Sequence, residues 1–278
     1  MYGGAAHLAF HRGIANRLAN SSVVFDICVF SKNGDSKQSK YGGAMFIIFD
    51  AIKHDQLGIY LNERYRATRV ALVNSNFTTN QARVGGAVYI HSKNQIKNIK
   101  DVAFVGCYFM RNQAHTTLAL LAFKDKLSGL TACLKITLDN CELSDNMVEG
   151  GHLSHTNAVS FQHVNVTIAG ISSLFNNEGS AVSGIRAVFT INGELHLVGN
   201  SGVFGGGMQL LDDSILVMQR NSKIWFIKNT AEYIGGAVYA EPGVSEYSKE
   251  ECFLCFDHYD VQCGDSDCHI STVLSTKF

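Results

Sequence analysis

The chain has 278 residues, of which 46% are hydrophobic, enough apolar material for a long buried core. Its 23 basic and 24 acidic residues leave a formal net charge of −1, so electrostatics give no reason to expect nucleic acid or an anionic membrane as partner. Glycine occurs 26 times and proline once, at Pro242, which excludes collagen and proline-rich linkers and suits a chain that turns often while keeping its backbone donors.

The opening Met1-Tyr2-Gly3-Gly4-Ala5 lacks the basic and apolar segments of a signal peptide and reads as the interior of a repeat, so the sequence is expected to be part of a larger protein. Phe30 and Asn33 follow, then a polar insertion over 35–40, then Gly42-Gly43-Ala44. A second polar insertion, 54–66, is expected to protrude as a loop. The alternating Val70-Ala71-Leu72-Val73-Asn74 reads as a strand and leads into Phe77 and Asn80, then Gly85-Gly86-Ala87. Phe109 and Asn112 precede Thr117-Leu118-Ala119, where both glycines are lost.

The strand Leu134–Leu138 then leads to Leu143, Asn146 and Gly150-Gly151, and the strand Val164–Ile168 leads to Leu174, Asn177 and Gly179-Ser180-Ala181. Leu197 and Asn200 precede Gly205-Gly206-Gly207. Phe226 and Asn229 precede Gly235-Gly236-Ala237, with one residue more between the halves than after Phe77. The motif asparagines stand 47, 32, 34, 31, 23 and 29 residues apart, a solenoid period near 30 with one large insertion.

The fold expected is all-β: a right-handed parallel β-helix, pectate-lyase-like, with one stacked core over residues 1–241. A β-sandwich or a string of small β-domains is the alternative. In a β-helix, equivalent residues of successive coils lie about 4.8 Å apart. The Phe or Leu of each motif then forms an interior column, and the Asn sits at a turn where it takes left-handed backbone angles and bonds its neighbours. Each Gly-Gly permits a sharp bend and close approach between coils. About ten coils of roughly 28 residues make a rod on the order of 45 Å long.

The paired motifs Phe77, Asn80, Gly85-Gly86-Ala87 and Phe226, Asn229, Gly235-Gly236-Ala237 resemble the repeats of the polymorphic outer membrane proteins, surface-exposed autotransporter passenger domains of chlamydiae. They also resemble the repeats of right-handed β-helix proteins of some invertebrates, including sponges. The resemblance covers nearly all of residues 1–241. It implies a right-handed, pectate-lyase-like β-helix, an extracellular or cell-surface location and a role in adhesion. No autotransporter barrel follows the repeats, and the C-terminal segment departs from the bacterial pattern.

Eight cysteines are present. Cys107 and Cys141 each lie two residues before a motif residue and are expected on adjacent coils, within disulfide reach; Cys28 and Cys133 read as buried thiols. Cys252, Cys255, Cys263 and Cys268 cluster in segment 242–278, expected to be a disulfide cap or the start of a further region; zinc and free thiols are the other readings. Asn20, Asn76 and Asn165 open glycosylation sequons.

Catalysis finds little footing. Asp212-Asp213 is a paired acid at a strand start, where a polar turn is the ordinary expectation, and Glu250-Glu251 reads as a solvated face. His152 and His155, three apart on a strand, fall on opposite faces. Arg186 and Arg220 have no neighbouring acid in sequence. Neither the nucleophile elbow, the phosphate loop nor the His-Glu-x-x-His motif is present, no apolar run is long enough to span a bilayer, and no cofactor or metal site is expected. The expected function is non-enzymatic adhesion or recognition of a protein or glycan at the cell surface. A carbohydrate-active or sugar-binding β-helix is the alternative.

Overall fold

A computed structural model of the chain describes residues 4–11, 21–35, 37, 39–50, 68–93, 100–125, 134–149 and 156–241, together with the strands Leu254–Cys255, Val261–Cys263 and Ile270–Thr272. Among them there is no helix, and none long and apolar enough to cross a membrane; the protein is all-β. Every strand pairing is parallel, and each partner strand comes from the next pass of the chain.

Nine strands make the first sheet: Ala6–His11, Met45–Asp50, Val88–Ser92, Thr117–Lys124, Asn157–Gln162, Ser180–Ile185, Met208–Leu211, Val238–Ala240 and Ile270–Thr272. At about 4.8 Å per step the sheet is ~38 Å across, one pass short of the ten expected. The second sheet has two arms. One runs through Ser21–Asp26, Thr68–Val73, Lys100–Val105 and Leu134–Asp139; the other through Val29–Ser31, Asn76–Thr78, Tyr108–Met110 and Glu142–Ser144. The arms join in the long strands Asn165–Phe175 and Val188–Val198, paired over all eleven residues, and separate again at Ile215–Met218 and Lys223–Ile227. The strands Leu254–Cys255, Val261–Cys263 and Ile270–Thr272 continue both sheets by one further pass.

Sequence alternation explains the packing. Leu134–Asp139 buries Leu134, Ile136 and Leu138 and turns Lys135, Thr137 and Asp139 outward. Both sheets line a single continuous core, with Ile47, Ile90 and Phe161 from the first meeting Val70, Phe104 and Phe189 from the second. Each such side chain contributes about 1.5–3 kcal/mol on burial.

Phe30, Phe77, Phe109, Leu143, Leu174, Leu197 and Phe226 are in register in successive passes, all facing inward. Phe30 stacks on Phe77 at 4.8 Å and Phe77 on Phe109 at 4.6 Å, the rings nearly parallel. Alongside runs a ladder of Asn33, Asn80, Asn112, Asn146, Asn177, Asn200 and Asn229. Each Nδ2 donates to the next Oδ1 at 2.8–3.0 Å, and each main-chain N–H donates to the same oxygen at 2.9–3.1 Å. From Asn80 onward, Nδ2 also donates to the carbonyl of the motif Phe or Leu one pass back, at 2.7–3.1 Å. An unsatisfied buried amide costs about 1–3 kcal/mol, so complete bonding is what lets Asn80, Asn112 and Asn146 lie fully buried.

These asparagines do not carry the left-handed angle expected of them. That angle belongs to the preceding residue: Lys32, Thr79, Arg111, Asp145, Asn176, Gly199 and Lys228 all have φ between 52° and 64°. The ladder fixes the Asn in place, and the residue before it absorbs the turn. Only a minority of these are Asn or Gly, so chemistry at that position did not reveal the conformation.

The glycine pairs divide their labour. Gly42, Gly85, Gly205 and Gly235 have φ between 60° and 77°. Gly43, Gly86 and Gly206 have ordinary angles, but any side chain there would strike the carbonyl of Gly86, Leu118 or Thr230 in the next pass. Two passes solve the corner otherwise. Leu118 takes the place of a glycine, and the first sheet shifts register between Thr117 and Leu120 to fit it. In the pass of Leu143 and Asn146, register puts Thr156-Asn157-Ala158 where Gly-Gly-Ala was expected, because Asn157 pairs with Ser180 and Val159 with Val182. Gly150 and Gly151, the residues expected there, lie outside the described residues, as does the whole of the 54–66 insertion.

Candidate interaction surface

One outward position recurs in every pass, the residue immediately before the motif Phe or Leu. Val29, Asn76, Tyr108, Glu142, Ser173, His196 and Trp225 form this file, each in register with the next. Alternation makes them face out because their neighbours face in. Tyr108 is 46% exposed, and Ile171, at the adjoining corner, 59%.

At His196 and Trp225 the file carries a polar-aromatic cluster, and Gln262 follows Trp225 in register. His196 Nε2 lies 3.3 Å from Glu194 Oε2, and Lys223 Nζ donates to Glu194 Oε1 at 3.2 Å. The hydrogen bond from His196, then that from Lys223, hold the Glu194 carboxyl below its ordinary range. The Trp225 ring meets His196 edge to face at 6.0 Å, and its indole Nε1 is buried without a hydrogen-bond partner. Glu194 and Lys223 pair in register, so charge complementarity here follows from the strand pairing itself. Sequence reasoning missed this file. Reading the position before each motif residue, repeat by repeat, would have shown Tyr108, Glu142, His196 and Trp225 in line.

Elsewhere, His91 Nε2 lies 2.9 Å from Asp125 Oδ1 on the outer face of the first sheet, with the His91 ring 5.2 Å from Phe123. Arg186, read from sequence as lacking an acid, has one: its guanidinium reaches Asp212 at 3.7 Å, because Ile185 and Leu211 pair and set the two side by side. Asp212 and Asp213 both sit at left-handed corner angles after Met208–Leu211. Among the described residues no group of three His, Cys, Asp or Glu is arranged to hold a metal.

Cys107 and Cys141 do stand on adjacent passes, but they are free thiols, not a bridge. In-register parallel strands hold their Cβ atoms about 4.8 Å apart and pointing the same way, beyond the 3.5–4.5 Å a disulfide takes. Each thiol donates to a carbonyl instead, Cys107 to Leu72 at 3.2 Å and Cys141 to Phe104 at 3.3 Å. Contact with the Cys107 thiol, then burial, push the Cys141 thiol well above its ordinary range. Cys28 is also free. Cys252 and Cys268 lie outside the described residues; Cys255 and Cys263 belong to paired strands, Cys263 standing in register with Phe226. Of the sequons, Asn76 and Asn165 are half-buried on outward strand positions, and Asn20 lies outside the described residues, as do His152, His155, Glu250 and Glu251.

No protein-family model, curated protein or solved structure matches the chain.

Proposed function

We propose that the passes close into a right-handed parallel β-helix, and that the protein is a non-enzymatic recognition or adhesion module working at the cell surface or outside the cell. The resemblance of its repeats to those of polymorphic outer membrane proteins supports this reading. The observation that carries it is the outward file Tyr108, Glu142, Ser173, His196 and Trp225, one side chain per coil, with the Glu194–Lys223 pair beside it. Regular spacing of aromatic, acidic and basic groups along a rigid wall suits a protein or glycan ligand that contacts several coils at once. The test is binding of the purified chain to glycan arrays and to cell surfaces. Tyr108→Ala combined with Lys223→Glu reduces binding at least tenfold while the circular dichroism spectrum stays that of a β protein; unchanged binding sinks the assignment of this face.

A second reading, a carbohydrate-acting enzyme, draws on the His91–Asp125 contact beside Phe123, since a carboxylate-held imidazole is a general base by construction. Release of reducing ends from a polysaccharide panel, abolished by His91→Gln, would replace adhesion with catalysis.

A further inference from the structure

Cys107 and Cys141 occupy one position in successive passes, because Tyr108 pairs with Glu142 and each cysteine immediately precedes that strand. Cys28 and Ser75 stand at the same position before them, and Ser172 after. The position forms a second ladder. The main-chain N–H of Cys28 donates to Ser75 Oγ at 3.1 Å, and that of Cys141 to Ser172 Oγ at 3.2 Å. Between them, the N–H of Ser75 faces the Cys107 sulfur and that of Cys107 the Cys141 sulfur. The fold therefore asks here for one γ atom that accepts an N–H, and a hydroxyl meets that need at Ser75 and Ser172. Sulfur is the weaker acceptor, so the ladder gives no reason for two consecutive thiols.

Both sulfurs face the core that holds Phe104 and Phe109. In-register parallel strands set equivalent atoms about 4.8 Å apart. That is too long for a sulfur–sulfur bond but close to two metal–thiolate bonds of about 2.3 Å laid end to end. The sulfurs also compete for charge. A hydrogen bond from the Cys141 thiol holds Cys107 below the ordinary thiol range, while the Cys107 thiol pushes Cys141 above it. One cation between them serves both sulfurs at once.

We infer that Cys107 and Cys141 form a two-coordinate site for a soft monovalent cation of the Cu(I) class. Thiolates favour Cu(I), whereas structural zinc takes four ligands, more than this pair supplies. Each thiol releases its proton, two sulfur–copper bonds form in line, and no electron is transferred, so the bound unit carries one negative charge. The N–H donors of Ser75 and Cys107 face that charge. The hydrogen bonds that the thiols give to Leu72 and Phe104 are surrendered on binding. This site faces the core, apart from the outward file of Tyr108 and Trp225, and does not depend on it.

The test counts the copper held at equilibrium by the whole chain, supplied anaerobically as Cu(I) against a chelating competitor and read by native mass spectrometry. The other six of the eight cysteines are common to all forms and cancel in the difference. Wild type should hold one ion more than Cys107→Ser or Cys141→Ser. Cys107→Ser combined with Ser172→Cys moves the thiol pair up one pass and should recover that ion. Cys141→Ser combined with Ser172→Cys keeps the same number of thiols, two passes apart, and should not. Equal copper in every form, or copper that follows thiol number rather than adjacency, overturns the proposal, and so does Zn(II) giving the same pattern. Circular dichroism checks the fold of each form. The two double variants are matched in composition, so their comparison decides the matter even if a single variant fails to fold.

Discussion

The carboxamide oxygen of Asn74 lies 2.6 Å from the point where a side chain on Gly106, one pass later, would begin. Both residues occupy the left-handed corner between the arms of the second sheet, at φ 47° and 60°. The arrangement recurs one residue before the motif asparagines, where Asn176 Oδ1 lies 2.7 Å from the same point on Gly199. An Asn that turns the corner needs its upper neighbour to be bare. Gly106→Ala therefore combines left-handed strain with a clash and is expected to cost about 2–3 kcal/mol in urea melts. The pair Asn74→Gly with Gly106→Ala should recover part of that loss, since the clash is gone and only the strain stays.

Asn112 is a mid-ladder member with a complete set of bonds on both sides. Replacing it by Leu keeps the volume but takes the acceptor from the Asn80 main-chain N–H and Nδ2 on one side and leaves Asn146 Oδ1 with only the main-chain N–H of residue 112 on the other. A loss of about 3–5 kcal/mol is expected, read as a shift in the denaturation midpoint. Asn229→Leu, whose ladder bonds among the described residues run only to Asn200 and Leu197, should cost roughly half as much. Equal costs would mean the ladder contributes little beyond filling space.

Cys107 and Cys141 share one inward file with Ser75 and Ser172, whose hydroxyls accept main-chain N–H donors from Cys28 and Cys141. Hydroxyl and thiol are interchangeable there, so Cys107→Ser is expected to alter stability by less than about 1 kcal/mol. Native protein should alkylate at Cys28 well before Cys107 or Cys141, whose thiols are buried; peptide mass mapping after timed exposure to iodoacetamide reads the order.

Glu194 is held below the ordinary carboxylate range by His196 and then Lys223. A carboxyl lowered on folding stabilises above its unfolded range and loses that contribution as pH falls through its folded one. Glu194→Gln should therefore melt slightly below wild type at neutral pH and coincide with it in strong acid. The site is exposed and salt screens it, so the gap should narrow at high ionic strength as well.

What the sequence made legible were the residues needed once per pass with one chemistry. Phe77 and Asn80 are such residues, because an aromatic stack and a carboxamide ladder each require like upon like. Register was legible wherever glycine was compulsory, as at Gly86. It held also at Leu118, which stands level with Gly86 without a glycine, and failed at Gly150-Gly151, where a different triplet, Thr156-Asn157-Ala158, makes the same corner. The left-handed turns at Lys32, Thr79 and Arg111 were hidden because the ladder, not the residue, imposes them. Outward residues such as Trp225 were hidden for the opposite reason: folding asks nothing particular of them, so no pattern marks them.

The shortest interval in the ladder, the 23 residues from Asn177 to Asn200, measures the least chain that carries one rung to the next. Longer intervals, up to the 47 residues from Asn33 to Asn80, end in the same pair of bonds to the next carboxamide. Circuit length is thus uncoupled from rung position. Chain can therefore be added or trimmed between rungs without disturbing the ladder above or below, and the wall serves as a frame on which surface detail changes independently, storey by storey.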